Sequence, residues 1–91
     1  MNKKVICLDD KTIGDRLKQL RKEAGLTQQQ IADFLECDQS HYSKLEHGSR
    51  RLTTSYLETL CTLYWIDEHD LICNPGWVPH VRGVLGDGTY A

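Results

Sequence analysis

Gln39, Ser40, Ser43 and Lys44 are polar residues spaced so that one helix would carry them all on one side. At 100° per residue, with Gln39 at zero, Ser43 falls at about 40°, His47 at about 80°, Ser40 at about 100° and Lys44 at about 140°. Tyr42, Leu45 and Glu46 point the other way. A helix face built only for solubility carries mainly Glu and Lys, whereas this one carries mostly uncharged hydrogen-bonding groups. A glutamine amide can pair with adenine N6 and N7 together, and a lysine can reach guanine O6 and N7 or a phosphate. The chemistry on offer is the reading of base edges. Arg50 and Arg51 follow just beyond, where cations would neutralise backbone phosphates.

Other chemistries find less support. His69 and Cys73 are four residues apart, so one helical face could hold both, but two ligands do not make a metal site. The cysteines at 7, 37, 61 and 73 contain no Cys-x-x-Cys pair, and this spacing, with no secretory context to support oxidation, argues against both a metal and a disulfide. Ser, His and Asp occur without a Gly-x-Ser-x-Gly turn to hold a nucleophile. A chain of 91 residues has little volume for a deep, closed cleft, which favours a binding module over an enzyme. No cofactor and no small-molecule ligand are expected. The sequence also lacks an apolar run long enough to span a bilayer or to act as a secretion signal, so a soluble, cytoplasmic protein without membrane contact is expected.

The net charge of −2 conceals a polarity. Residues 11–51 carry eight cations against six anions, a balance of +2. Residues 52–73 carry Glu58, Asp67, Glu68 and Asp70 with no Lys or Arg. A basic part followed by an acidic one suits a face that meets an anionic polymer, with the rest turned to solvent or a partner.

The elements that must position these residues are helices. Ile13, Leu17, Leu20 and Ala24 recur at helical spacing, with Arg16, Lys18 and Lys22 between them on the polar side. Asp10 or Thr12 can cap this first helix, and Gly25 can end it. Thr27 and Gln30 form a capping-box pair ahead of Ile31, Ala32 and Leu35, which predicts a second helix of about two turns. Asp38 can cap a third helix ending at Gly48, Thr53 a fourth through Tyr64, and Asp67 a fifth ending near Cys73. No useful strand pattern interrupts them. The expectation is an N-terminal arm over 1–10, an all-α domain over 11–73 and an irregular tail over 74–91, within which Val78, Val81, Val84 and Leu85 could pack.

The segment from Ile13 to Ile72 resembles the phage-repressor type of helix-turn-helix domain, the Cro/cI or XRE-type family. The residues that carry the likeness are Leu20-Arg21, Gly25-Leu26-Thr27-Gln28, Ile31-Ala32, Leu35, and Tyr42-Ser43-Lys44-Leu45-Glu46-His47-Gly48. Two positions depart from the pattern. Glu36 stands where the turn usually has Gly, at a cost of about 1 kcal/mol if its φ is positive. Tyr42 replaces a small β-branched residue, so its hydroxyl needs water or a partner.

The resemblance implies a five-helix lambda-repressor-like fold and sequence-specific binding of double-stranded DNA. Gln39 and Ser40 then begin the recognition helix, with Ser43 and Lys44 one turn on as further base readers. Thr27 and Gln28 match the family's phosphate-contacting positions at a helix N-terminus, joined by His47, Arg50 and Arg51. Arg21 and Glu46 match its internal ion pair, a structural feature. The implied activity is that of a transcriptional regulator, most simply a repressor on a palindromic operator. Leu63, Trp65, Ile66 and Ile72 exceed what a thin helical layer needs, which predicts a homodimer through the late helices. The competing expectation is a protein-binding adaptor, antitoxin-like or coactivator-like, on the same fold.

Overall fold

The computed structural model describes residues 7–81, which form α1 (Asp10–Ala24), α2 (Gln28–Leu35), α3 (Gln39–His47), α4 (Thr54–Tyr64) and α5 (Glu68–Ile72). The described part is all-α, as the periodicity predicts. Local capping chemistry sets most boundaries. Asp9, not Asp10 or Thr12, caps α1: its carboxylate accepts from the Thr12 backbone N–H, and bonding with Thr12 holds its pKa below the usual range. The Thr27–Gln30 capping box opens α2 with both reciprocal bonds formed. Asp38 takes the cap position of α3 without a side-chain bond to the helix.

Four helix ends rest on left-handed backbone, the first of them Gly25, which ends α1 at φ 76° as expected. Glu36 ends α2 at φ 61°, so the expected non-glycine turn is present and its backbone N–H donates to the Ala32 and Asp33 carbonyls. Gly48 ends α3 at φ 78°, and a Cβ there would lie 2.7 Å from the Lys11 Cα. Both the dihedral and the close approach of α1 therefore require glycine. Trp65 ends α4 at φ 58° although no glycine or asparagine marks the position.

The core gathers Leu17, Leu20, Ile31, Tyr42, Leu57, Leu60 and Leu71 from all five helices. Ala32 is fully buried where α2 meets α3. Gly14, on the buried side of α1, abuts the end of α3. A Cβ at Gly14 would overlap the Glu46 carbonyl and sit 2.5 Å from the Leu45 carbonyl oxygen. Gly14→Ala should therefore force the helices apart and lower stability by about 2 kcal/mol, overpacking outweighing the better helix propensity of alanine. Thermal melting checks this, and an unchanged or raised Tm would contradict the close approach.

The flanks complete the core, through Val81 as the sequence allowed and through Leu8 and Trp77, which had given no signal. Leu8 and Trp77 pack against it and Val81 is buried, while Val78 is exposed; Val84 and Leu85 lie outside the described residues. With these additions, Leu63 and Ile72 are 2% and 3% exposed, consumed inside the chain rather than left for a partner. This corrects the dimer surface expected of the late helices, from which Trp65, 59% exposed, and half-buried Ile66 remain available.

Two further corrections meet at the C-terminal end of α5. Cys7 and Cys73 form a disulfide with their Cα atoms 4.7 Å apart. The N–H groups of Cys7 and Leu8 both donate to the Ile72 carbonyl, docking the arm there. Their separation of 66 residues hid a proximity that only the tertiary fold creates. Arg16, read as part of the polar face of α1, is only 7% exposed. Its guanidinium donates to the carbonyls of Asp70, Leu71, Asn74 and Pro75 and lies 5.5 Å from the Trp77 ring centroid. Burial draws its pKa down, opposed by the Asp70 charge.

Candidate nucleic-acid interface

The turn of Glu36, Cys37 and Asp38 sets α3 across α2, because Ile31, Ala32, Leu35, Tyr42 and Leu45 bury the facing sides of both helices. What remains outward on α3 is the polar face. Gln39, Ser40, Lys44 and His47 are exposed and Ser43 is half-buried. The helical arithmetic thus holds for the base-reading candidates. His47 is oriented by its own helix, its ring Nδ1 lying 2.8 Å from the Ser43 carbonyl oxygen.

Thr27 and Gln28 start α2 beside this face. The Gln39 amide nitrogen donates to the Gln28 side-chain oxygen at 3.2 Å, and the Gln28 amide nitrogen donates to Glu46 Oε1 at 3.0 Å. The structure therefore brings a base-reading candidate and a phosphate candidate into direct contact. Each residue was identifiable from sequence, but the bonds between them were not.

Arg21 and Glu46 form the expected ion pair. Arg21 Nε donates to Glu46 Oε2 at 2.7 Å and Nη2 to Oε1 at 3.3 Å, while Nη1 donates to the Leu26 carbonyl. Burial raises the Glu46 pKa, but bonding from Arg21 and Gln28 and the adjacent Tyr42 hydroxyl outweigh it and leave the carboxyl below its ordinary value. The same hydrogen bond raises the Arg21 pKa against the effect of burial. The Tyr42 hydroxyl is buried near the carboxylate without good hydrogen-bond geometry, and burial pushes the Tyr42 phenol far above its usual pKa. The ring is thus accommodated in the core beside the ion pair, while the partner expected for its hydroxyl is not formed among the described residues.

Cations stand at the other end of α3. Arg50 and Arg51 are exposed, and Arg51 lies 3.8 Å from Asp10, with its side chain 65% exposed. The backbone of Lys11 lies against Gly48, which brings a further exposed lysine, paired with Asp15, near this end. Among the described residues, no helix is long and apolar enough to cross a membrane.

An outward polar helix, fixed by a short turn across a second helix that presents its N-terminus alongside, defines a helix-turn-helix domain. The chain belongs to the helix-turn-helix domain family, whose model matches residues 12–71, and it shares its fold with solved helix-turn-helix domains of the phage-repressor-like, XRE type. It is 34% identical over 55 residues to the HTH-type transcriptional regulator RamB of Mycobacterium tuberculosis, covering 60% of this chain and 12% of that protein. It is 40% identical over 52 residues to the competence pilus inhibition repressor of Acinetobacter baylyi, covering 57% of this chain and 47% of the repressor. The match thus spans under half the length of either relative.

Among solved structures, the restriction-modification controller protein C.AhdI of Aeromonas hydrophila superposes with a TM-score of 0.62 at 29% identity, covering 68% of this chain and 94% of that one. The biofilm regulator SinR of Bacillus subtilis, in complex with DNA, gives a TM-score of 0.58 at 28% identity, covering 65% and 95%.

Proposed function

We propose that this chain binds double-stranded DNA sequence-specifically, with α3 in the major groove, and represses transcription by occluding a promoter. The observation that carries this reading is the Gln39–Gln28 contact on an otherwise outward polar face. After donating one N–H to Gln28, Gln39 keeps an oxygen and a second N–H, the pair that adenine N6 and N7 require. Gln28 likewise keeps one N–H for a phosphate, at a helix N-terminus suited to anions. Ser40, Ser43 and Lys44 read neighbouring bases, and Thr27, His47, Arg50 and Arg51 hold the backbone. The repressor of Acinetobacter baylyi and the DNA complex of SinR support the assignment by similarity.

A palindromic operator bound by two copies follows from the same reading, because a two-fold dimer matches two-fold symmetric half-sites. Its contact surface centres on Trp65 with Ile66 beside it.

Salt-dependent titration tests the docking. Arg50→Ala and Arg51→Ala should each weaken binding to all duplexes about equally and reduce the slope of log K against log salt by roughly one unit. Unchanged slopes in both variants would place these arginines off the DNA backbone.

A further inference from the structure

We propose that Glu46, beyond its ion pair, is a positioning residue that determines which edge of its amide Gln39 presents to DNA, acting through Gln28. The proposal rests on the DNA-reading function above. Its basis is the direction of three hydrogen bonds. An ionised carboxylate only accepts, and Glu46 accepts from Arg21 on both oxygens and from the Gln28 amide nitrogen on Oε1. Gln28 must therefore turn its NH2 inward to Glu46 and its oxygen outward. That oxygen can only accept, so Gln39 must turn its NH2 toward Gln28, as observed at 3.2 Å.

The polarity Gln39 to Gln28 to Glu46 runs one way. A side-chain amide flipped by 180° has nearly the same shape but exchanges donor and acceptor, so two unrestrained amides would sample four combinations. The carboxylate at the buried end selects one of them. Glu46 is 4% exposed and Gln39 lies on the surface, so a fixed charge in the interior orders an exposed base reader. A bidentate contact needs donor and acceptor in a set order along the groove; reversing the order replaces two good bonds with mismatched groups.

Glu46→Gln tests this, because an amide carries one acceptor oxygen and one donor NH2, so it no longer offers only acceptors to Gln28 and no longer fixes which way the Gln28 amide turns. The expected result is a roughly tenfold loss of discrimination at the base pair read by Gln39, with preferences at other positions and non-specific affinity changed less than about twofold. Gln28→Met breaks the chain without touching the ion pair, and it carries the test if Glu46→Gln does not fold. It should produce the same loss of discrimination plus a uniform loss of affinity that cancels in the ratio. Combining the two should cost no further discrimination. In the protein without DNA, the Gln39 side-chain amide resonances should shift in both variants. If the wild type discriminates between base pairs and a folded variant discriminates equally well, or if the Gln39 amide resonances do not move, the positioning role is overturned. A wild type with no base preference overturns the DNA-reading function itself, an outcome distinct from variants that match a discriminating wild type.

Discussion

Arg16→Ala is expected to destabilise the domain by about 3 kcal/mol or more. Its guanidinium serves the carbonyls of Asp70, Leu71, Asn74 and Pro75, and the Asn74 carbonyl also accepts from the Trp77 N–H. Truncation would leave partly buried acceptors without partners, each costing on the order of 1–3 kcal/mol. It would also remove a cation from the C-terminal end of α5 and the surface against which Trp77 packs. For a domain of this size, 3 kcal/mol lowers Tm by more than about 10 °C. Arg16→Lys should recover little, since a single ammonium cannot reproduce a planar fork that reaches four oxygens. Thermal unfolding of both variants checks this, and a near-native Tm for Arg16→Ala would show that solvent replaces the guanidinium without cost.

Reduction of the Cys7–Cys73 bond should be comparable in size. The bridge joins residues separated by 66 positions and so encloses all five helices. In the chain-entropy account, closing a loop of that length stabilises the folded state by up to about 4 kcal/mol. Dithiothreitol should therefore lower the Tm of the oxidised protein, while Cys7→Ser should melt at the lower temperature with or without reductant. Both perturbations act where the arm, α5 and the tail meet, so reducing the disulfide in Arg16→Ala should cost less than the sum of the separate effects. Equal melting of oxidised and reduced wild type would contradict the stabilising role.

The contrast between these residues and the capping motifs shows what the sequence can encode locally. Thr27 with Gln30, and Gly48, act on backbone groups within a turn of themselves, so their types and spacing suffice to identify them. The polar face of α3 is also local, because helical geometry alone places Gln39, Ser40 and Lys44 together. Arg16 looked like its neighbours Lys18 and Lys22 because periodicity does not distinguish a cation facing water from one facing carbonyls 54 to 59 residues away. Gly14 sits inside α1, where glycine by itself only weakens a helix, and its role depends on α3 crossing at that point. Trp65 takes a left-handed backbone that local propensity opposes by about 1–2 kcal/mol, so packing around the end of α4 decides its conformation. The bonds of the Gln39–Gln28–Glu46 chain join residues 11 and 18 positions apart whose separate roles were visible. Only the docked helices show that they act together.

Selection of bound sites from random duplexes, run in parallel with wild type and Gln39→Ala, tests the central claim most directly. The wild type should enrich a palindrome, and Gln39→Ala should lose about 1–3 kcal/mol of preference at one base pair in each half-site, with the rest of the motif retained. Because Gln39 is exposed at the start of α3, the variant should fold as the wild type does. A folded Gln39→Ala protein with an identical motif would move recognition to Ser40, Ser43 or DNA shape. Failure of the wild type to enrich any sequence would contradict the account and favour the use of this fold as a protein-binding adaptor.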